Sequence, residues 1–470
     1  MLQSIEQRID RVINNLLPTT ALEGKFDPPK NLYERLANYH TPGISIAVIN
    51  DFEVEWASGF GKCEAGTTLD VKKDTLFQAA SISKPVFALA VMRLVQEGRL
   101  DLDEDVNSYL TSWRVPTISD WQPRITLRQL LSHTAGLTLH GFPGYPNSEP
   151  RPTTVQVLNG EPPANTHKVE INLIPGLHFR YSGGGTTIAQ QVLVDVLQRP
   201  FSEIMLELVL APLGMTHSTY EQPLPTNYLS KAATAHSFPG TPIKGKHHVY
   251  PEMAAAGLWT TPADLAKVGV ELMRVLRGST PVAWTQETLE EMLRPQQPEQ
   301  SRETNEEFVG LGFFAAGGVS DGFHFFHNGG NVGFVSFMRF YPHVGKGAVI
   351  MLNSEEFDLI QEVMRSIALE YEWSGVFPQE RPIITLAQTD LYSGLYLTKS
   401  GLQFKIISYD ENLLLQYGQQ PSLQFFPTSE LEFFAQVANA SICFEKDDTG
   451  SVVSMTLNQA DQQIKAERQR

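Results

Sequence analysis

The spacing of apolar residues changes character several times along the chain. Ile5, Ile9, Val12, Ile13 and Leu16 fall on one face of a helix at the N-terminus. A linker with Pro28 and Pro29 leads to a short helical stretch from Leu32 to Tyr39, stopped by Thr41-Pro42-Gly43. The continuous apolar run Ile44 to Ile49, the turn pair Asn50-Asp51 and the return from Val54 to Gly61 predict a hairpin facing a core. From about Leu76 the helical period takes over, with Val86 to Gln96, Thr187 to Leu197, Phe201 to Val209 and Pro262 to Leu276 as its clearest segments. Strand texture returns at Val309 to Ala316, Phe323 to His327, Phe334 to Tyr341 and Ala348 to Leu352, and a helix from Leu359 to Tyr371 follows.

This order predicts an α+β architecture. An antiparallel sheet assembled from about residues 1–75 and 305–375, flanked by N- and C-terminal helices, would carry an inserted all-helical lobe over about 76–304. Residues 1–375 then form one domain, with the cleft between sheet and lobe as the default place for a site. Past Trp373 a linker with Pro378, Arg381 and Pro382 opens a different texture. Leu402 to Ile407, Leu413 to Tyr417, Leu431 to Gln436, Ser441 to Phe444 and Val452 to Leu457 are short and separated by turn signals, predicting a small β-barrel or sandwich over 383–470.

Composition narrows the function classes. With 42% hydrophobic and 19% charged residues in 470, the chain has material for a core and lacks disordered, collagen and coiled-coil signatures. A formal charge of −16 and the absence of a basic run argue against a nucleic-acid partner. Cys63 and Cys443 are too few for a disulfide framework. The N-terminus lacks the apolar core of a secretory signal, and no stretch approaches the ~20 apolar residues of a membrane span, so a cytoplasmic protein with no membrane partner is expected. No nucleotide-binding glycine motif occurs, and His247-His248 are adjacent rather than four apart, so neither a cofactor nor a metal is expected.

Three segments carry chemistry. Ser81 and Lys84 lie three apart at a helix start, so both side chains share one face; a lysine whose pKa falls on burial can take a serine proton. Tyr181 precedes the run Gly183-Gly184-Gly185; a phenolate can act as base where a cation such as Lys84 depresses its pKa. Phe326-His327-Asn328-Gly329-Gly330 ends a strand, and its glycines would let a substrate approach the strand edge and a free N–H. Taken singly, these are equally a capping serine beside a solvated lysine, a buried tyrosine above a turn and a satisfied histidine. Other candidates read as structural: Ser320 in a G-x-S-x-G between two strands, Glu161 to Asn165, and His133 in a helix-to-loop segment. The proline-rich stretch Thr138 to His167 is expected to be a long loop, either a wall of the substrate pocket or a surface excursion.

Together and in this order, the three segments resemble the active-site set of the serine β-lactamase and penicillin-binding-protein superfamily. The resemblance is to its class C-like branch of family VIII esterases, D-aminopeptidases, D-Ala-D-Ala carboxypeptidases and CubicO-type peptidases. The connecting stretches Ile125 to Leu137 and Ala254 to Leu265 resemble that branch's helical-lobe segments, and the match covers about residues 1–375. The remainder resembles the lipocalin-like β-domain appended to some members.

The resemblance implies an acyl-enzyme formed on Ser81, with Lys84 and Tyr181 handling its proton and the backbone N–H groups of Ser81 and Gly330 forming an oxyanion hole. His327-Asn328-Gly329 stands where most relatives carry Lys-Thr-Gly, and Gly183 stands where they carry the asparagine of Tyr-x-Asn. A partly protonated histidine and a missing amide both weaken recognition of a carboxylate-bearing β-lactam or peptide, which favours small esters or amides as substrate. The competing readings are a β-lactamase or D-Ala-D-Ala carboxypeptidase, and a non-catalytic scaffold or assembly protein.

Overall fold

The computed structural model describes residues 4–23, 28–298, 307–317, 322–373, 376, 378–418, 420, 422–436, 440–459 and 462–469. The chain divides into two compact units. The first comprises residues 1–10, 32–360 and 370–375; the second comprises 11–31, 361–369 and 376–470.

The first unit is built on a seven-stranded sheet that is antiparallel throughout, in the spatial order Glu307–Val309, Phe314–Ala316, His324–Asn331, Phe334–Tyr341, Lys346–Leu352, Gly43–Asn50, Glu53–Gly61. The N-terminal hairpin therefore completes a sheet whose other strands come from the far end of the unit, as the apolar pattern predicts. Gly43–Asn50 is buried over seven of its eight residues because it lies inside the sheet. The single strand expected over Val309 to Ala316 is two, because Gly310–Phe313 leave the sheet. Gly312 has φ of +85°, and a Cβ there would lie 2.6 Å from Ala88 Cβ, so a glycine is needed where this turn meets the Ser83–Gln96 helix.

The inserted region is mainly helical, with Ser83–Gln96, Gly183–Leu197 and Pro262–Leu276 as its long helices. It is not all-helical. Phe77–Gln78 pairs with Trp259–Thr260, Tyr145–Pro146 with His248–Val249, and His236–Ser237 with Thr241–Pro242. Two-residue ladders are too short to produce an alternating pattern, which explains why the period of apolar residues does not reveal them. The stretch Thr138 to His167 likewise contains a helix, Thr154–Asn159, begun by a capping box in which Thr153 and Gln156 satisfy each other's backbone N–H groups.

The second unit contains a closed eight-stranded barrel, from Gly394–Leu397 to Gln462–Arg468, shut by the pairing of Tyr396 with Arg468. Its interior is filled by side chains at alternate positions, such as Phe404 and Ile406, Leu413 and Leu415, Ile442 and Phe444. Three of its strands, Gly394–Leu397, Leu423–Pro427 and Gln462–Arg468, lie outside the segments expected from sequence. The last, QQIKAER, turns only Ala466 fully inward and so carries almost no apolar alternation. The hairpin turn expected at Ser320 lies outside the described residues. Among the described residues, no helix is long and apolar enough to cross a membrane.

Helix Pro262–Leu276 packs on the sheet through Gly269, where a Cβ would come within 2.3 Å of the buried Phe340 ring. Gly to Ala in an exposed helix stabilises by roughly 0.5–1 kcal/mol. Gly269→Ala is expected instead to destabilise by about 1–3 kcal/mol, the usual range for overpacking, and a lowered thermal transition checks it.

Candidate active site

Ser81 lies in the single turn Ala80–Ile82 that leads directly into the Ser83–Gln96 helix. Ala80 has φ of +50°, a conformation that side-chain-bearing residues seldom adopt, and the turn is held from several sides. Ser83 Oγ donates to Ala80 O at 2.6 Å and accepts from Leu258 N–H at 3.0 Å. Ser336 Oγ donates to Ala79 O at 2.8 Å, and Asn331 Nδ2 donates to Gln78 Oε1 at 2.9 Å and Ala256 O at 3.1 Å. The His324–Asn331 strand therefore lies tight against the serine turn. A Cβ on Gly329 would stand 2.3 Å from Ala79 O, so glycine permits the approach. Gly330 is exposed, with nothing within 4 Å of its Cβ position.

Lys84 projects from the first turn of the helix back onto Ser81. Its Nζ donates to Ser81 Oγ at 3.0 Å and to Ala255 O at 2.9 Å. Only 4% of the residue is exposed, and burial lowers its pKa from 10.5 to about 7. A large share of Lys84 is then uncharged at neutral pH, with a lone pair available beside the serine hydroxyl.

The Tyr181 ring lies 4.9 Å from Lys84 Nζ, and its side chain is hydrogen-bonded to Ser81. Burial raises its pKa well above the usual tyrosine value, with the Ser81 hydrogen bond opposing. The expectation of a phenolate held by a lysine cation is thus corrected. The burial that lowers the Lys84 pKa also raises that of the phenol, which favours its protonated form.

His327 lies on the same strand as Gly329 and is fully buried. Its Nδ1 pairs with Asn328 O at 2.5 Å, which puts the proton on Nδ1 and leaves Nε2 an acceptor without a partner. Burial, then the charge of Lys84, lowers its pKa to about 3. A pKa lowered this far by burial disfavours the partial protonation expected from the sequence. Asn328, next along the strand, is exposed.

Sequence reasoning passed over two other histidines at this site. His133, taken as structural, lies under Tyr181 with ring centroids 4.3 Å apart, and its Nδ1 accepts from Ser182 N–H at 3.2 Å. His140 lies 4.8 Å from the same ring. The pKa values of both are lowered, by burial first and then by Lys84. Phe314 stacks on Tyr181 at 6.5 Å and lies 5.4 Å from His327. Arg180 is committed elsewhere, its guanidinium donating to Leu137 O at 2.8 Å and Gly136 O at 2.5 Å. In the Glu161 to Asn165 stretch, Glu161 Oε1 accepts from Asn159 Nδ2 at 3.2 Å and Asn165 Nδ2 donates to Gly144 O at 2.9 Å. Among the described residues, no group of three or more His, Cys, Asp or Glu side chains could hold a metal ion.

An antiparallel sheet carrying an inserted, mainly helical region, with a serine and a lysine on the first turn between them, defines the β-lactamase/transpeptidase-like class. The chain belongs to the Beta-lactamase family, whose model matches residues 29–369. Membership places it broadly with the serine hydrolases of that kind. It is 26% identical over 367 residues to Protein flp of Staphylococcus aureus, spanning 75% of this chain and 69% of that one. It is 32% identical over 169 residues to Esterase EstB of Burkholderia gladioli, covering 34% and 41% of the two chains. Its fold is similar to an octameric penicillin-binding protein homologue from Pyrococcus abyssi, with TM-score 0.62, 19% identity and coverage of 92% and 98%. It is also similar to a beta-lactamase/D-alanine carboxypeptidase from Yersinia pestis, with TM-score 0.57, 20% identity and coverage of 72% and 95%.

The titration of Lys84 tests this electrostatic description. Selective labelling of lysine Cε and NMR titration should show one lysine with a midpoint near 7 that disappears in Lys84→Met. A Lys84 midpoint close to 10.5 would contradict its burial.

Proposed function

We propose that the protein is a serine hydrolase that cleaves a small ester or amide through an acyl-enzyme on Ser81. The observation that carries this reading is the 3.0 Å contact between Ser81 Oγ and a lysine whose pKa is lowered to about 7. Such an amine accepts a proton at neutral pH, and a serine hydroxyl needs that service to become a nucleophile. Family membership and the local similarity to an esterase support the same class.

In the proposed reaction the Ser81 O–H proton passes to Lys84 Nζ as Oγ bonds to the substrate carbonyl carbon. The backbone N–H groups of Ser81 and Gly330 face the developing oxyanion, a pair whose members are typically worth on the order of 10²–10³ in rate each. Lys84 returns the proton through the Tyr181 hydroxyl to the departing alcohol or amine, and the carbonyl–leaving group bond breaks. Water then attacks the Ser81 ester, giving up its proton to the same pair, and the acid leaves with the serine restored. Ala255 O aims Lys84 throughout. His327 and Asn328 border the substrate beside Gly329 and Gly330. The only partner invoked is the small-molecule substrate; no cofactor or metal enters any step.

A fluorophosphonate should label the wild-type chain on Ser81, as read by peptide mass spectrometry, and Ser81→Ala should lose the label while keeping its circular dichroism. A label retained by Ser81→Ala would refute the assignment. The labelling rate should rise roughly tenfold per pH unit below about 7 and level off above it, because the ammonium form of Lys84 cannot accept the proton. A flat rate from pH 5 to 9 would exclude Lys84 as the base.

A further inference from the structure

The glycine at 183, a departure from the family pattern, and the stretch after Gly136 are physically one feature. The beginning of that stretch is strapped onto the start of the Gly183–Leu197 helix. Ser182 Oγ donates to Thr138 O at 2.6 Å, Gly183 N–H to His140 O at 3.0 Å, and Gly184 N–H to Leu139 O at 3.1 Å. The first two glycines make this possible. A Cβ on Gly183 would lie 2.9 Å from Phe142 Cε2 and 3.1 Å from His140 O, and one on Gly184 would lie 3.0 Å from Thr138 O. The volume that a side chain at 183 would enter is therefore already taken by His140 and Phe142.

Of these two residues, His140 also reaches the site. His140 is exposed and its ring lies 4.8 Å from Tyr181, while Phe142 is half-buried. The space a side chain at 183 would enter is met by the edge of the Phe142 ring and the backbone carbonyl of His140, whose imidazole lies beside Tyr181. The Phe314 ring, stacked on Tyr181 at 6.5 Å, adds a second aromatic surface beside the same phenol. A site built to hydrogen-bond a group rejects analogues lacking it, whereas an apolar wall carries no such demand and leaves a buried amide unpaired.

We propose that His140 and Phe142 determine the specificity of this site, occupying the place of an amide side chain at residue 183 and selecting esters whose acyl group is apolar and carries no amide. This rests on the hydrolase reading above and names the substrate class that the reading leaves open.

The test compares kcat/KM for two substrates with one leaving group, p-nitrophenyl butyrate and the p-nitrophenyl ester of N-acetylglycine. The proteins are the wild type, His140→Ala, Phe142→Ala, Gly183→Asn and the double variant Phe142→Ala with Gly183→Asn. The wild type should favour butyrate. The double variant, with room made for the asparagine, should shift the ratio toward the acetylglycyl ester by about tenfold or more. His140→Ala should lose butyrate efficiency chiefly through KM, as removal of a binding contact does. Gly183→Asn alone should lower the thermal transition, because Phe142 has not been removed. A ratio within about twofold of wild type in His140→Ala and in whichever Phe142 variants retain a cooperative melt overturns the proposal while Ser81 labelling leaves the hydrolase reading standing. Absence of Ser81 labelling in the wild type overturns both.

Discussion

The burial of Lys84 is the constraint around which the first unit is arranged. An ammonium taken out of water must either find acceptors or give up its proton, and the structure provides two oxygen acceptors, Ala255 O and Ser81 Oγ, within 3.0 Å. Holding them there requires three pieces of chain to converge: the serine turn, the Met253–Ala256 helix and the His324–Asn331 strand. Gly329 allows the strand to lie against the turn, and Ser336, Asn331 and Ser83 lock it with side-chain hydrogen bonds. The left-handed conformation at Ala80 is a cost borne by those contacts.

The same low polarity sets the charge state of every titratable neighbour. It drives Lys84 and the histidines toward their neutral forms and keeps the Tyr181 phenol protonated. A charged lysine at position 327 would have faced Lys84 across this interior, whereas a neutral imidazole adds an acceptor without repulsion. The groups lining the site are therefore all biased toward their uncharged forms. The −16 total charge of the chain contributes little to this, since it resides largely on solvated side chains.

Much of the fold was legible because the relevant signals are local and periodic. The hairpin at Gly43–Asn50 and Glu53–Gly61, the helix at Ser83–Gln96 and the strands at Phe334–Tyr341 and Lys346–Leu352 each span enough residues for a period to register. The two-residue ladders of the insert, the break at Gly310–Phe313 and the polar barrel strand Gln462–Arg468 were not, because tertiary pairing rather than an apolar face makes them. The capping box at Thr153 and Gln156 was a readable helix start hidden within a proline-rich stretch.

At the site, sequence alone determined which groups could act: a serine and a lysine three residues apart must share a helix face, wherever that helix lies. It could not determine their protonation, because a pKa depends on what surrounds the group in space, and the residues around Lys84, Tyr181 and His327 come from distant parts of the chain. For that reason it is the tertiary structure that lowers the pKa values of Lys84 and His327 and raises that of Tyr181. It also brought His133 and His140 against Tyr181, contacts that no spacing along the chain encodes.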